Sequence, residues 1–311
     1  MDVSGLLLIA LCLGIGVRLN RSQSLPPGSH RVLNGYVLRV ALPALIVVRM
    51  HGLFRTSGSL RGMWAPVSMA WIQFLAAAAF AWALARIWNL SKATRGALIL
   101  TMGLANTSFV GFPLLEALLG PRALPIAVLA DQPGSFLVFS TLGVLTAASH
   151  AGKSGHVRDL VARAIRFPPM MALLLAALLS PVPLPAAADA ALDKIAGSLV
   201  PVALVAVGMQ LKFDVQTIRR RARELGAALA FKLVLIPALM TAVYVAAGAQ
   251  RGLVPQVTVA ESAMAPMITS AVLAEESDLD PELANLMVSV GVLLSLVTVP
   301  LWVWLLGRVA G

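Results

Sequence analysis

The sequence contains few charged residues and almost no cysteine. Only 12% of its 311 residues are Asp, Glu, Lys or Arg, whereas soluble domains carry about 25%. The one cysteine, Cys12, lies within an apolar stretch, and a single cysteine excludes an intrachain disulfide. The composition therefore excludes an ordinary soluble globular protein, and we assign no chemistry to the thiol.

Motifs of enzyme and metal chemistry are also missing. The sequence has no GxSxG, HExxH or Walker motif, so ATP-driven transport by this chain is unsupported. Its histidines lie in or beside loops without the spacing of metal ligands; they are His30, His51, His150 and His156. We therefore expect no metal, no cofactor and no enzymatic activity.

Long apolar runs dominate the sequence, which is 59% hydrophobic. About 20 consecutive apolar residues cross the hydrocarbon core of a bilayer. Ten such stretches predict an all-α integral membrane protein with ten transmembrane helices, the first of them retained rather than cleaved. The predicted spans are 3–19, 33–53, 63–87, 94–119, 122–148, 166–181, 188–211, 222–247, 252–274 and 283–307.

The basic residues indicate membrane orientation rather than nucleic-acid binding. The formal charge is +10, and most Lys and Arg residues lie in short loops between apolar stretches. The loops after odd-numbered helices hold 15 of them and the opposite side holds 6. Because cytoplasmic loops are enriched in Lys and Arg, we predict a bacterial inner-membrane protein with both termini in the periplasm and no nucleic-acid partner.

The two halves of the chain show a weak internal repeat. Pro43 in predicted helix 2 and Pro201 in helix 7 lie 158 residues apart, and Pro113 and Pro266 in helices 4 and 9 lie 153 apart. Coincidence is the alternative, since proline is common in membrane helices. The count of five helices per half favours two inverted repeats over residues 1–148 and 166–311, joined by a cytoplasmic linker over 149–165, an organisation typical of secondary transporters.

Predicted helix 4 combines polar and helix-breaking residues near the middle of the membrane. The adjacent Asn106, Thr107 and Ser108 are followed by Gly111 and Pro113. Proline removes a backbone donor and frees a carbonyl, so we expect the helix to break here and a second half-helix to present N–H groups to an anion. The alternative is that these polar residues join neighbouring helices.

Predicted helix 9 places a carboxylate inside the membrane. Glu261 precedes Met264 and Pro266, which interrupts the helix near its middle. A carboxylate at this depth costs about 2.5–3.5 kcal/mol unless it is paired, protonated or hydrated. We expect Glu261 to bind a coupling proton, and the alternative is a structural ion pair with Lys232 of helix 8.

A second membrane carboxylate lies in predicted helix 5. Asp131 and Gln132 precede Pro133, which would expose carbonyl groups beside them. This arrangement suits a cation or proton site. It also leaves open an alternative of another class, a membrane enzyme that uses Asp131 and Glu261 as an acid–base pair.

Three stretches resemble the auxin efflux carrier family, which includes plant auxin exporters and bacterial permeases for malonate and other carboxylates. They are the run from Asn106 to Pro113, the Pro-x-x-Leu-x-x-x-Gly-Met run at Pro201 to Met209, and the Ala-Met-x-Pro-Met stretch that ends at Met267. The resemblance covers essentially the whole chain.

The resemblance implies the fold shared with bile-acid sodium symporters, in which helices 4 and 9 of two inverted repeats break and cross at the substrate site. Asn106 and Pro113 would belong to one half of the crossing and Pro266 to the other. Plant members carry a carboxylate and a lysine in helix 3, whereas here only Gln73 is polar in the corresponding stretch. A homodimer is also implied.

We therefore expect an alternating-access secondary transporter that moves a small organic anion, a carboxylate, through the lipid bilayer. The coupling ion is a proton, with a sodium-coupled symporter as the alternative. The expected substrate-binding residues are Asn106, Thr107, Ser108, Gly111, Pro113, Met264, Pro266 and Lys232. The expected ion-coupling residues are Asp131, Gln132 and Glu261.

Overall fold

The computed structural model describes residues 3–56, 63–151, 167–248 and 252–309, and within these ranges the chain forms helices and no strands. The α-helices are α1 (Val3–Ser22), α2 (Ser29–Tyr36), α3 (Leu42–Thr56), α4 (Trp64–Trp88), α5 (Lys92–Gly103), α6 (Phe112–Leu119), α7 (Leu124–Leu129), α8 (Val144–Ala151), α9 (Pro168–Leu179), α10 (Ala186–Gly197), α11 (Leu199–Gln210), α12 (Val215–Arg220), α13 (Ala222–Ala230), α14 (Ile236–Ala246), α15 (Leu253–Ser262), α16 (Ile268–Glu276) and α17 (Pro281–Val309).

Seven helical runs in the described ranges are long and apolar enough to cross a membrane. They are Ser4–Ser22, Ser29–Arg55, Trp64–Trp88, Pro121–Ala151, Ala186–Gln210, Ala222–Ala246 and Pro281–Arg308. The expected all-α membrane protein is thereby confirmed. Predicted helices 4 and 9 fall outside this set because helical geometry breaks inside them, and predicted helix 6 is described over the 12 residues of α9.

Three helices widen by one residue per turn just before a proline. In each case a five-residue π-helical turn ends two residues before the proline. Proline lacks an N–H group and clashes with the carbonyl four residues back, and a π turn changes that hydrogen-bond spacing without ending the helix. The pairs are Val37–Ala41 with Pro43, Thr107–Gly111 with Pro113, and Phe231–Leu235 with Pro237.

The chain forms two compact units, and the first comprises residues 1–61, 108–128 and 162–211. Its closest packing joins α1 to α11 through two glycines. A Cβ added at Gly16 would lie 2.2 Å from the Val205 carbonyl oxygen, and one added at Gly208 would lie 2.3 Å from the Leu13 carbonyl oxygen. Such backbone contact is typical of membrane helix pairs, in which small residues permit close approach.

The second unit comprises residues 62–107, 129–161 and 212–311. Here α4 packs against α5, α15 and the π-helical segment Ala130–Phe136. At one end of this unit Arg221 forms an ion pair of 2.5 Å with Asp280, which also accepts a hydrogen bond from the Thr94 hydroxyl at 2.7 Å. These contacts tie the first turn of α5 to the residues that directly precede α13 and α17.

Each unit draws on both halves of the chain, so the compact units are not sequential halves. The division into repeats over 1–148 and 166–311 stays a prediction. The linker predicted over 149–165 lies outside the described residues from 152 onward, and residues 149–151 complete α8.

Candidate functional site

Two interrupted helices of the second unit meet at their breaks. The chain leaves helical geometry between the end of α5 at Gly103 and Thr107, and again between α15 and α16. Ala105 and Pro266 form an antiparallel bridge. The Asn106 N–H donates to the Ala265 carbonyl at 2.8 Å, and the Met267 N–H donates to the Leu104 carbonyl at 3.0 Å. Each break thus satisfies backbone groups of the other, as a site without lipid contact or bulk water requires.

The break in predicted helix 4 lies upstream of the position expected from proline. Helical geometry is lost before Thr107, whereas Pro113 occupies the first turn of α6, a position that tolerates its missing N–H. Gly111 adopts an ordinary helical φ of −62°, so its conformational freedom is not used. The expectation that Gly111 and Pro113 themselves break the helix was therefore wrong.

Gln73 of α4 supports the carboxyl end of α5. Its amide Nε2 donates to the Met102 carbonyl at 3.2 Å and to the Gly103 carbonyl at 3.1 Å. Gln73 is fully buried, and these carbonyls lack the donors that a further helical turn would supply. Sequence reasoning noted Gln73 only as the polar residue of its helix and missed this role.

Asp131 is held by two side-chain hydrogen bonds. It lies in the π-helical segment Ala130–Phe136, which widens around Pro133. The Thr107 hydroxyl donates to its Oδ1, and the Gln132 amide donates to its Oδ2 at 2.5 Å. Asp131, Thr107 and Gln132 are all buried. The structure therefore connects Asp131 and Gln132, two predicted ion-coupling residues, to Thr107 of the interrupted helix.

Lys232 supports the carboxyl end of α15. It lies in the π-helical turn Phe231–Leu235, is fully buried, and its Nζ donates to the Ser262 carbonyl at 3.0 Å. A cation at the carboxyl end of a helix is favoured by the helix dipole. One of the three ammonium donors is thus committed to the broken helix.

Glu261 is the buried carboxylate nearest this crossing on α15. Neither of its oxygens has a hydrogen-bond partner in the described part of the chain, and no ion pair within 4.0 Å of Lys232 forms there. The Ser262 carbonyl that accepts from Lys232 belongs to the next residue in the chain. The alternative of a direct ion pair with Lys232 is therefore not what the structure has.

Met264 and Pro266 complete the break in predicted helix 9. Both are buried, and the Met264 N–H donates to the Glu261 carbonyl at 3.1 Å. A Cβ added at Gly291 of α17 would lie 2.5 Å from Cδ of Pro266. Gly291 therefore makes room for the proline ring, a role that no pattern in the sequence signals.

Most of the predicted site residues share the second unit. Those brought together by the contacts above are Asn106, Thr107, Asp131, Gln132, Lys232, Glu261, Met264 and Pro266. Ser108, Gly111 and Pro113 follow directly in the chain and belong to the first unit. The cluster combines two carboxylates, one ammonium group and helix ends in a buried setting, which suits binding of ions rather than of apolar ligands.

Comparison with known proteins points the same way. A family model described as "Membrane transport protein" matches residues 3–303. An uncharacterized transporter of Methanothermobacter thermautotrophicus is 30% identical over 271 residues, which cover 87% of each chain. An uncharacterized transporter of Methanocaldococcus jannaschii is 24% identical over 287 residues, which cover 89% of each chain. The chain therefore belongs to the membrane transport protein family, which confirms its resemblance to the auxin efflux carriers.

Proposed function

We propose that the protein is an alternating-access secondary transporter of a small organic anion, a carboxylate, with ten transmembrane helices in two inverted repeats. The observation that carries the proposal is the antiparallel pairing of two interrupted helices at Ala105 and Pro266. Interrupted helices at matching positions of two repeats surround the substrate in many secondary transporters. The family of transporters to which the chain belongs supports the same reading.

The proposed substrate site lies at the crossing of the interrupted helices. Its residues are Asn106, Thr107, Ser108, Gly111, Pro113, Met264, Pro266 and Lys232. The ammonium group of Lys232 has two donors beyond the one given to Ser262, and a carboxylate would accept from them. Backbone N–H groups at the start of the segment Thr107–Gly111 carry the positive end of a helix dipole.

Charge balance supports coupling to a cation. When ionised, Asp131, Glu261 and Lys232 leave one unbalanced negative charge, and an anionic substrate adds another. An uncompensated buried charge costs several kcal/mol, so the anion would enter together with a cation. Asp131, Gln132 and Glu261 are the proposed coupling residues, and Glu261 would take a proton because its oxygens have no partner among the described residues.

The protein would lie in a bacterial inner membrane, with both termini in the periplasm and a homodimer as its assembly. The excess of Lys and Arg in alternate loops supports this orientation. The dimer is proposed from the family resemblance alone.

Transport by purified protein in liposomes tests the proposal. We expect uptake of at least one labelled acid among acetate, lactate, malonate and succinate, stimulated by an imposed pH gradient. Glu261→Gln should abolish the stimulation, and Asn106→Ala should lower uptake about tenfold, as for a lost hydrogen bond to a charged group. The exposed Glu276→Gln and Asn20→Ala variants are the matched controls.

The remaining outcomes separate the alternatives. Stimulation by a sodium gradient instead of a pH gradient would establish the sodium-coupled symporter. Recovery of a chemically altered label would establish the membrane enzyme. Wild-type rates for both Glu261→Gln and Asn106→Ala would show that the site is placed wrongly, and absence of uptake for every acid would refute the proposed substrate class.

A further inference from the structure

Two buried side chains support the two broken helices in the same way. Gln73 donates to the last carbonyls of α5, and Lys232 donates to the last carbonyl of α15. The donor and its acceptor Gly103 are separated by 30 residues in the first case, and Lys232 and Ser262 are separated by 30 in the second. Gln73 and Lys232 are both fully buried.

The backbone hydrogen bonds between the two breaks are also symmetric. Each break gives one N–H donor, at Asn106 or Met267, and one carbonyl acceptor, at Ala265 or Leu104. In both cases the donor and its acceptor are 30 residues apart, and the backbone bonds between the breaks are reciprocal. Gln73 and Lys232 therefore lie at matching positions of the two halves. Their chemistry differs, because Gln73 supplies a neutral amide and Lys232 an ammonium group.

The difference in charge matters because of what lies beside Lys232. The Lys232 ammonium group lies 3.0 Å from the Ser262 carbonyl oxygen, and the residue before Ser262 is the fully buried carboxylate Glu261. At the corresponding end of α5, the residue before the supported Gly103 carbonyl is Met102, which carries no charge. The amide of Gln73 is therefore a neutral support, whereas the ammonium group of Lys232 binds the residue that follows a buried carboxylate.

We infer that Gln73 and Lys232 are equivalent positioning residues of the two proposed repeats, each of which fixes the carbonyl end of one interrupted helix. Of the two, Lys232 alone also places a positive charge next to Glu261. If the two residues are equivalent supports, a glutamine at position 232 is enough to support α15. If Lys232 is also needed for its positive charge, the same glutamine cannot replace it in transport. The second half of the inference depends on the proposed transport function, and the first half does not.

Hydrogen exchange of the full-length protein tests the positioning role. The amides of Asn106 and Met267 should exchange about tenfold faster in Gln73→Met and Lys232→Met, because a lost hydrogen bond to a helix end loosens the paired breaks. In Lys232→Gln they should stay within about twofold of the wild type. Thr258→Val is the matched control, since its buried hydroxyl donates to the Val254 carbonyl inside the intact part of α15.

Uptake at different pH values tests the charge role. In Lys232→Gln the pH of half-maximal uptake should rise by about one unit, because the carboxyl group of Glu261 then loses the cation bound next to it. Gln73→Asn, which keeps an amide, should restore part of the uptake lost in Gln73→Met without moving the pH profile.

Specific results overturn the inference. Fast exchange in Lys232→Gln, equal to that in Lys232→Met, would refute equivalence, and an unchanged pH profile in Lys232→Gln would refute the charge role. If Lys232→Met does not fold, Gln73→Met and Lys232→Gln decide the question. Should the wild type transport no tested acid while the exchange pattern appears as expected, the proposed function fails and the positioning role stands.

Discussion

At the scale of single residues, the two buried carboxylates of the crossing differ in how they are held. Asp131 accepts bonds from Thr107 and Gln132, which fix its position and satisfy its charge. Glu261 is as deeply buried, yet its oxygens have no hydrogen-bond partner in the described ranges. Burying a charge without partners is costly, so Glu261 is the group that gains most from a bound proton or cation.

The space for Pro266 at the crossing depends on the absence of a side chain at Gly291. Gly291→Ala would place a methyl group 2.5 Å from Pro266 Cδ, and we expect it to lower the free energy of unfolding by about 1–3 kcal/mol, as overpacking does, and to slow transport. Thermal unfolding in detergent, followed by uptake in liposomes, measures both effects. Gly226→Ala, where a Cβ meets nothing within 4 Å, should leave both unchanged, and an equal loss in the two variants would contradict the explanation.

At the scale of elements, the described helices divide into continuous and interrupted ones. Prolines 43 and 237 follow π turns and leave their helices continuous, whereas the breaks at 104–106 and 263–267 are supported by Gln73 and Lys232 from neighbouring helices. A break in a membrane helix needs other groups to satisfy the freed carbonyls. The break at 104–106 therefore lies where donors reach the freed carbonyls and not at Pro113, whereas the break at 263–267 contains Pro266.

Helix packing in the first unit makes an element-scale prediction. Gly16→Ala should separate α1 from α11, because the added carbon would lie 2.2 Å from the Val205 carbonyl oxygen, and backbone atoms cannot yield as a flexible side chain can. We expect a loss of about 2 kcal/mol in stability, measured by thermal unfolding in detergent. Gly14→Ala lies on the same helix in open space and should be neutral. Similar losses in the two variants would show that the close contact at Gly16 is not responsible, since alanine by itself favours a helix more than glycine does.

At the scale of the whole molecule, the uneven distribution of Lys and Arg predicts which loops face the cytoplasm. The residues between α1 and α2 belong to a predicted cytoplasmic loop, and those between α9 and α10 to a predicted periplasmic one. The chain has a single cysteine, Cys12, and it is buried. Labelling of an introduced cysteine can therefore be measured with little labelling of the native protein.

Labelling in intact cells checks this orientation. In a Cys12→Ala background, a membrane-impermeant maleimide should label Val182→Cys and should spare Ser24→Cys until the cells are opened, since both positions are exposed. The reason is the excess of positive charge on the cytoplasmic side. The reverse pattern would mean that the whole orientation is inverted, and labelling of both in intact cells would contradict the assignment of these loops to opposite sides.

The sequence by itself determined the class of the protein and the chemistry of its centre. Apolar runs long enough to cross a bilayer can fold only as helices there, because backbone groups find no water, and rare residues such as Asp131, Lys232 and Glu261 stand out against that background. Family membership followed from the order of motifs along the chain.

The tertiary structure decided which of those residues act on one another. Proline marks a possible break in a sequence, but Gln73 and Lys232 determine where the carbonyls are satisfied, and they come from helices 30 residues away along the chain. The space for Pro266 is left by Gly291 on a different helix. Such contacts are set by packing between distant segments, and no local pattern of hydrophobicity or turn residues encodes them.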